Sequence, residues 1–390
     1  MQINQYEYPN NTSFRGYDAR PLKGFLMSEN FHGITDDMVQ IAKKEGFKIY
    51  SLTKRNGRNI CVEGSQPICW MSFNTWAQDY WTFVNGKLLS SSMKPISDAI
   101  KEFFGINNST LKSAINDKHI SGGNLFIVKN GDKDEVFVGA DDVISKQAEV
   151  FSSLSFTDRN TIDEIKAKYG VEKVVVIPQI DYHLDLFIRP LDDKRVLLTD
   201  DNLSMAVIKD MREKLVDYIS NKTTEENLEE YKNALSKIDE FLVEHDLNIK
   251  EQEKCIADKV TSDDVEKVLK ENGYDVIRVP GALYNYKKVR NFLTKQYLFN
   301  FMNANVLKNE QGEIVYITNK SNLDEDFGLT PDVKEVSGGG VEDSFIKAIS
   351  LYVKPEHHYF VSGKDNAVAK QMLPKLLGGI HCACTEIPEC

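Results

Sequence analysis

The sequence predicts an α/β protein that folds as one domain over residues 1–390. Short runs of apolar and β-forming residues, such as Gly24–Met27 and Val174–Ile177, alternate with segments of helical periodicity. Polar and charged residues recur at the ends of these strands, where α/β proteins commonly place a central site. A chain of 390 residues is long enough to bury a large core around such a site.

Composition narrows the class of function. The chain is 41% hydrophobic and 27% charged, as in ordinary globular proteins. Its net charge of -11 argues against nucleic acid or an anionic membrane as the main partner. No apolar run is long enough to cross a bilayer, Met1–Tyr8 lacks the pattern of a signal peptide, and six scattered cysteines favour a reducing compartment. We therefore expect a cytoplasmic protein.

The first unusual residue is Asp79, which lies in a run of aromatic and β-forming residues. A carboxylate is costly to bury in such surroundings unless a cation or hydrogen-bond donors meet it. The pattern fits a functional carboxylate and a carboxylate satisfied by backbone groups at a strand end equally well. The elements predicted up to this point are a strand at Gly24–Met27, a helix at Thr35–Glu45, a strand at Phe47–Leu52 and a strand at Asn74–Phe83 that turns at Asn85-Gly86.

A second group of polar residues follows in Ile180–Phe187, which alternates like a strand. In strand geometry His183 and Asp185 face the same side, opposite Leu184 and Leu186. An imidazole and a carboxylate on one face can hold a cationic group together, although a strand whose polar face meets water shows the same alternation. The elements predicted before it are a glycine turn and strand at Ser121–Val128, a helix at Thr161–Tyr169 and a strand at Val174–Ile177.

Residues 203–272 predict a helical hairpin inserted within the domain. Ile208, Met211, Leu215 and Ile219 form one apolar stripe, and a second stripe begins at Leu228. Such stripes are usually packing faces. The elements predicted after the hairpin are strands at Tyr274–Pro280, Asn300–Leu307 and Glu313–Ile317 and a final helix at Glu342–Leu351. Ser362-Gly363-Lys364 lacks the earlier glycine of a phosphate-binding loop, which excludes that interpretation.

The C-terminal run Gly379-Ile380-His381-Cys382 is the best candidate for the reacting groups. A thiolate is the strongest ordinary side-chain nucleophile, and His381 beside it could handle a proton or set the local field. Two other interpretations stay open. Cys382 could be a buried apolar residue, or it could bind a soft metal together with His381, Cys384 and Cys390.

Four motifs together resemble those of the guanidine-modifying (pentein) superfamily. They are Trp76-Ala77-Gln78-Asp79, Gly122-Gly123-Asn124, His183-Leu184-Asp185 and Gly379-Ile380-His381-Cys382, in this order along the chain. The first motif, the helical segment and the asparagine-rich run Asn300–Asn305 resemble protein-arginine deiminases. The last motif resembles agmatine deiminases. This resemblance, and not periodicity, implies a five-bladed α/β propeller of ββαβ modules around one channel.

The resemblance also implies roles for individual residues. Cys382 would attack the guanidinium carbon, Asp79 and Asp185 would bind the guanidinium nitrogens, and His183 would protonate the departing ammonia and later activate water. A covalent thiouronium would form, and water would release a ureido product. Two planar carboxylates suit a guanidinium cation, and the reaction needs no metal or organic cofactor. Trp76, Asn300 and Asn303 are expected to line the substrate site.

One departure from the family pattern concerns calcium. Calcium-dependent members carry an acidic ligand three residues after the first of these aspartates, and Thr82 occupies that position here. The chain also has no room for the additional immunoglobulin-like domains of the vertebrate enzymes. A calcium-independent, stand-alone domain is therefore expected.

Three functions remain compatible with the sequence. The first is hydrolytic deimination of arginine in peptides or proteins, favoured by acidic residues of the helical hairpin that could attract basic segments. The second is a deiminase or amidinotransferase for a small guanidine such as agmatine or free arginine. The third is a binding protein that keeps the fold without turnover. The oligomeric state is not predicted.

Overall fold

The computed structural model describes residues 20–27, 33–64, 77, 81–84, 87–90, 94–106, 120, 122–130, 133–140, 159–222, 228–253, 260–289, 292–376 and 378–388. Its nine α-helices within these ranges are α1 (Ile34–Glu45), α2 (Lys94–Phe104), α3 (Arg159–Tyr169), α4 (Asp201–Asn221), α5 (Leu228–Glu253), α6 (Ser262–Glu271), α7 (Leu323–Asp326), α8 (Pro331–Val336) and α9 (Val341–Ile349). None of these described helices combines the length and apolar character needed to cross a bilayer.

The strands form several small sheets. They are β1 (Arg20–Met27), β2 (Lys48–Arg55), β3 (Arg58–Glu63), β4 (Trp81–Val84), β5 (Lys87–Ser90), β6 (Leu125–Asn130), β7 (Lys133–Gly139), β8 (Lys173–Ile177), β9 (Ile188–Pro190), β10 (Arg195–Thr199), β11 (Asp275–Val279), β12 (Ala282–Val289), β13 (Phe292–Asn300), β14 (Asn305–Lys308), β15 (Ile314–Asn319), β16 (His358–Val361) and β17 (Cys384–Pro388). The result is the mixed α/β architecture that the sequence predicts.

Three segments share one topology. In β6–β8, β9–β11 and β14–β16, two antiparallel strands are followed by helix and then by a strand that pairs parallel to the second. Each segment therefore has the order ββαβ. The three segments share this strand pairing but not their sequences. A ring of five such units stays a prediction.

The two ends of the described chain meet in the largest sheet. There β1 pairs parallel with β2 and with β14, and antiparallel with β17 at the C-terminal end. Met27 lies opposite Cys384 in this ladder. The turn that carries His381 and Cys382 leads directly into β17, so the pairing with β1 anchors that turn.

The helical hairpin belongs to the main core. Ile208, Met211 and Leu215 of α4 and Ile238 of α5 lie in one apolar cluster with Phe299 and other residues of the neighbouring sheets. The predicted apolar stripes are therefore packing faces, as helical spacing indicates. Residues 223–227, between the two helices, lie outside the described residues.

Besides the strand predicted at Asn74–Phe83, in which Ala77 is helical, three predicted elements differ from the structure. Ile180–Phe187 is not a strand: its middle is a 3-10 turn at Leu184–Leu186, and the strand begins only at Ile188. Asn300–Leu307 is likewise interrupted, since β13 ends at Asn300 and β14 starts at Asn305. Helix α9 is not final, because a π-helix at Val368–Leu376 follows it. In the first case side-chain hydrogen bonds from the distant residues Asn124 and Asn300 stabilise the turn. In the second case Asn300 Oδ1 accepts from the N–H of Met302 and Asn303, which is a local asparagine turn.

Candidate active site

His183 and Asp185 lie on a turn that precedes β9. His183 has extended backbone angles and caps the 3-10 turn, and Asp185 sits in the middle of that turn with 0% of its surface exposed. Leu184 and Leu186 are also buried, so burial does not alternate as it would in a strand. The prediction that strand alternation places His183 and Asp185 on one face is therefore wrong in its geometry.

Two polar side chains hold this turn from the β6–β8 side. Asn124 Oδ1 accepts hydrogen bonds from the backbone N–H of Leu184 (3.0 Å) and from Gln179 Nε2 (2.9 Å). Gln179 Nε2 also donates to the carbonyl oxygens of Asp181 and Tyr182, at 3.1 and 2.9 Å. Gly139 makes room for the pair, because a Cβ there would lie 2.6 Å from Asn124 Oδ1. The turn is thus fixed by the side-chain amides of Asn124, which belongs to the Gly122-Gly123-Asn124 motif, and of Gln179, which the sequence did not single out.

His183 and Asp185 nevertheless lie close together, because both side chains lie beside Gly123. A Cβ at position 123 would lie 2.4 Å from His183 Nδ1 and 3.1 Å from Asp185 Oδ1. The two side chains therefore border the same small volume above this glycine. His183 is partly exposed and stands at the solvent side of the site, whereas Asp185 forms its floor.

An asparagine-rich turn supports the site from below. Asn300 Nδ2 donates to the carbonyl oxygen of Leu186 (3.0 Å), and its Oδ1 accepts from the N–H of Met302 and Asn303. Asn319 Nδ2 donates to the carbonyl oxygens of Asn300 (2.7 Å) and Asn303 (3.1 Å). All three asparagines are fully buried. Asn300 therefore positions the turn that carries Asp185.

The Cys382 turn is held by the same asparagines. Asn319 Oδ1 accepts from the N–H of Ile380 (2.8 Å), and Asn303 Oδ1 accepts from the N–H of His381 (3.0 Å). Position 379 must be glycine for this approach, because a Cβ would lie 2.5 Å from Asn319 Oδ1 and 2.6 Å from Asn303 Oδ1. The glycine in the Gly-Ile-His-Cys run thus serves backbone recognition by two side-chain amides.

Three groups converge on one oxygen of Asp185. Its Oδ2 lies 2.8 Å from Asn303 Nδ2, 2.9 Å from His381 Nδ1 and 3.3 Å from Cys382 Sγ. Asn303 Nδ2 also lies 3.1 Å from Cys382 Sγ. Cys382 is 6% exposed. A thiol, an imidazole, an amide and a carboxylate, drawn from three distant segments, therefore form one buried constellation.

His381 is neutral in this constellation. Burial, together with the charges of Arg189 and His183, holds the pKa of His381 well below its ordinary value. A carboxylate only accepts, so the single ring proton of His381 is assigned to Nδ1, where it meets Asp185 Oδ2. The ring stacks on Phe126, with centroids 5.6 Å apart, and the guanidinium of Arg189 lies 5.1 Å from the Phe126 centroid.

Cys384 differs from Cys382 although both are buried. It packs in the apolar cluster between β1, α1 and the π-helix, and burial raises the pKa of its thiol far above the ordinary value. A protonated thiol is a poor nucleophile and a poor metal ligand. Within the described residues no group of three or more His, Cys, Asp or Glu side chains is placed to hold a metal ion. Cys390, part of the metal alternative, lies outside them.

The remaining predicted residues are only partly placed. Asp79 and Trp76 lie outside the described residues, so their roles stay predictions. Thr82 is half-buried within β4. Asn303 is brought to the site, where its amide contacts Asp185, Cys382 and the backbone of His381. Its role in lining the substrate site stays a prediction. Asn124 belongs to the Gly122-Gly123-Asn124 motif, but its contact with Leu184, 60 positions away, was not predicted. Gln179 and Asn319 were not singled out from the sequence, and Asn319 acts on segments up to 61 positions away.

Known structures share this fold. A cysteine-to-serine variant of the agmatine deiminase from C. jejuni, with substrate bound, aligns with a TM-score of 0.50 and 12% identity over 99% of both chains. An agmatine deiminase from Enterococcus faecalis aligns at 0.45 and 11%, covering 97% of this chain and 96% of that one. An amidinotransferase of saxitoxin biosynthesis from Microseira wollei aligns at 0.43 and 10% over 96% of each chain. These neighbours are penteins.

Sequence comparison adds nothing to this structural likeness. No protein-family model and no curated protein matches the chain. At 12% identity the alignment with the C. jejuni structure shows a common fold and leaves the chemistry to the side chains.

Proposed function

We propose that this protein hydrolyses the guanidinium group of a small cationic substrate to a ureido group and ammonia, with Cys382 as the nucleophile. The observation that carries the proposal is the convergence of Cys382, His381 and Asn303 on Asp185. A buried carboxylate beside a thiol offers a guanidinium cation a charged acceptor at the point where its carbon meets sulfur.

The first half of the proposed reaction breaks a carbon–nitrogen bond. Cys382 Sγ adds to the guanidinium carbon while Asp185 accepts from its nitrogens, with Asp79 as the second carboxylate predicted by the family resemblance. The substrate cation itself favours the thiolate, because it introduces positive charge beside sulfur. His183 gives a proton to one nitrogen, ammonia leaves, and a thiouronium ester of Cys382 remains.

The second half replaces sulfur by oxygen. His183, now neutral, takes a proton from a water molecule that attacks the same carbon. The carbon–sulfur bond breaks, the thiol of Cys382 is regenerated, and the ureido product departs. One water is consumed and one ammonia is released, so the atoms balance without a redox partner. The fixed donors around Asp185 hold it in place through both steps, which is the main benefit of a preorganised polar site.

Ion pairs of the helical hairpin weaken the argument for a peptidyl-arginine substrate. The peptide prediction depended on acidic residues left free on the solvent side. In the structure, Asp239 pairs with Arg212, and Glu230 accepts from Thr330 at 3.0 Å. Glu229 lies 3.7 Å from Lys232. The two ion pairs place a positive charge beside Asp239 and Glu229 and so reduce the acidic field on which the peptide prediction depended, whereas Glu230 keeps its full charge. Glu225 and Glu226 lie outside the described residues.

The likeness to agmatine deiminase supports the same choice. The C. jejuni protein is described as an agmatine deiminase with its substrate bound, and agmatine is a small guanidine. We therefore place agmatine-like guanidines first and peptidyl-arginine second.

A ureido assay tests the proposal. Purified protein is incubated with agmatine, free arginine or blocked peptidyl-arginine, and ureido product and ammonia are measured with and without an added amine acceptor. We expect product from agmatine without the acceptor, at least tenfold faster than from the peptide, and none from Cys382→Ala. Product that requires the acceptor would indicate an amidinotransferase. Absence of product from all three guanidines would overturn the proposal.

A further inference from the structure

Side chains of strand β13 bind the residues just before His183 through hydrogen bonds and an ion pair. Asp181 Oδ2 accepts a hydrogen bond from Tyr297 Oη (2.5 Å) and lies 3.2 Å from Lys295 Nζ. Lys295 Nζ also donates to the carbonyl oxygen of Ile180 at 2.7 Å. We call Asp181, Lys295 and Tyr297 the Asp181 clasp. It lies two residues before His183 and does not contact the Cys382 constellation described above.

The clasp is well shielded from water. Asp181, Lys295 and Tyr297 bury most of their side chains, and Lys295 Nζ lies 4.4 Å from the centroid of the Tyr284 ring. Burial and the adjacent Asp181 raise the pKa of Tyr297 well above its ordinary value, so its hydroxyl remains a donor. Shielded charge-assisted bonds of this kind are stronger and more directional than exposed ion pairs.

The two carboxylate oxygens of Asp181 bind different groups, one in its own turn and one in strand β13. Oδ1 accepts from the N–H of Tyr182 at 2.8 Å, which sets the backbone next to His183. Oδ2 ties that backbone to β13 through Tyr297 and Lys295. The ring of Tyr182 in turn contacts the ring of His183, with centroids 4.6 Å apart.

The same strand also holds the far end of the turn and the approach to Cys382. Asn300 at the end of β13 donates to the carbonyl oxygen of Leu186, just after Asp185. Gln296 Nε2 donates to the carbonyl oxygen of Pro374 (3.0 Å), in the π-helix that leads to Cys382. Strand β13 therefore contacts both segments that supply reacting groups, and the clasp is its contact on the His183 side.

We propose that the Asp181 clasp positions His183 for proton transfer, so that Tyr297 and Lys295 are positioning residues for the reaction. This inference rests on the proposed function, because it assigns the clasp to the step in which His183 protonates the leaving ammonia. Loss of one clasp bond lets the backbone at residues 181–183 shift, and small misplacements of a proton donor are costly in rate.

Tyr297→Phe removes one hydroxyl from the clasp, and Tyr286→Phe is the matched control. Tyr286 is a second buried tyrosine, on the partner strand β12, and its hydroxyl is not part of the clasp. We expect Tyr297→Phe to lower kcat by about 10- to 100-fold with KM changed less than about threefold. Tyr286→Phe should keep kcat within about twofold of the wild type. Lys295→Met serves as the second variant if Tyr297→Phe folds poorly.

A substrate with a different leaving group distinguishes misplacement of His183 from a general defect of the active site. In an S-alkylisothiourea analogue of the substrate, a thiol replaces ammonia as the leaving group and needs less help from an acid. Release of that thiol in the first turnover should therefore differ less than about threefold between Tyr297→Phe and wild type. An equally large loss with this analogue would overturn the inference, because it would place the defect at Cys382 or in substrate binding.

A third measurement does not depend on turnover. The ring signals of His183 are identified by NMR through their loss in His183→Gln, and their titration is followed in each variant. Tyr297→Phe and Lys295→Met should shift the His183 signals, and Tyr286→Phe should not. Unchanged His183 signals in both clasp variants would refute the positioning role. If the wild type turns over no guanidine but the shifts occur, the proposed function has failed and the structural part of the inference has held.

Discussion

His381 Nδ1 lies 2.9 Å from Asp185 Oδ2, which joins two residues that are 196 positions apart in the chain. The same oxygen accepts a hydrogen bond from Asn303 Nδ2 and lies beside the Cys382 thiol. Because His381 is neutral and buried, this contact is an oriented hydrogen bond and not an ion pair. Its consequence is a carboxylate whose Oδ2 is held by protein groups and whose Oδ1 lies beside Gly123.

His381→Asn and His381→Leu test this orientation. The side-chain nitrogen of asparagine occupies nearly the place of Nδ1, so His381→Asn should keep at least about a tenth of wild-type kcat, whereas His381→Leu leaves Asp185 without this donor and should lose about 100-fold or more. Since the pKa of His381 is well below its ordinary value, the pH profile of kcat/KM should have the same shape in wild type and His381→Asn. Equal losses in both variants would contradict the orienting role.

Cys382→Ala and Cys384→Ala distinguish a nucleophile from a core residue. Cys382→Ala should abolish product formation with little change in stability. Cys384→Ala should keep activity and lose about 1–2 kcal/mol of unfolding free energy, because it removes a buried sulfur from an apolar cluster. Activity assays and urea unfolding measure the two effects. Loss of activity in both variants, accompanied by bound zinc on metal analysis, would favour the metal alternative.

Asp185→Asn should remove turnover while the protein still folds. The amide oxygen can accept from Asn303 and His381, so the buried donors keep a partner, but the negative charge that would hold a guanidinium is gone. We expect kcat/KM to fall by about 1000-fold or more, corresponding to roughly 4 kcal/mol. Thermal unfolding is the control: a Tm lower by more than about 10 °C would show that the carboxylate is structural.

Gly123→Ala probes the volume shared by His183 and Asp185. The added methyl group would lie 2.4 Å from His183 Nδ1, so the imidazole must move, and activity should fall by about 100-fold. Gly57→Ala is a useful comparison, since it meets nothing within 4 Å but has a φ of +74° and loses roughly 1 kcal/mol from backbone strain. Normal activity in Gly123→Ala, measured by ureido production, would mean that His183 does not act from this position.

His357 links the pH dependence of stability to its contacts with Glu45 in α1 and Glu313 just before β15. Its ring nitrogens lie 3.0 Å from Glu45 Oε1 and 2.7 Å from Glu313 Oε2, an arrangement that requires the protonated ring. Burial acts to lower the pKa of His357, but the hydrogen bonds to the two carboxylates outweigh it and raise the pKa above 6.5. This stabilisation is therefore complete below pH 6.5 and is lost as the pH rises through the raised pKa.

Glu45 and Glu313 set the lower end of the pH range in which His357 stabilises the fold. The pKa values of Glu45 and Glu313 are lowered from 4.5, so their contribution is present above pH 4.5 and is lost on further acidification. Urea unfolding of wild type and His357→Gln should differ most between about pH 4.5 and 6.5 and less at pH 8.5. His358→Gln is the control of opposite sign. Burial lowers the pKa of His358 to about 4, so below pH 6.5 the unfolded chain takes up a proton that the folded protein does not, and His358 makes the wild type less stable as the pH falls. A pH-independent difference for His357→Gln would exclude the imidazolium.

The sequence predicted the local elements because they depend on short-range patterns. The stripe of Ile208, Met211 and Leu215 required only helical periodicity, and each of the three is buried in the structure. The hairpin predicted around Asn85-Gly86 is present as β4 and β5 on either side of it. The nomination of Cys382 needed only the chemistry of a cysteine next to histidine and glycine, and its role remains a proposal.

Only the tertiary structure decided how the candidate site is assembled. The alternation at Ile180–Phe187 indicated a strand, yet Asn124 and Asn300 hold it as a turn through backbone hydrogen bonds. Asn303 was expected to line the substrate site, which stays a prediction, and its contacts with Asp185 and Cys382 were not foreseen. These contacts span tens to hundreds of residues, so no local propensity encodes them. They form only when strands β6, β13 and β17 place buried amides, a carboxylate and a thiol within hydrogen-bond distance, where leaving any of them unsatisfied would be costly.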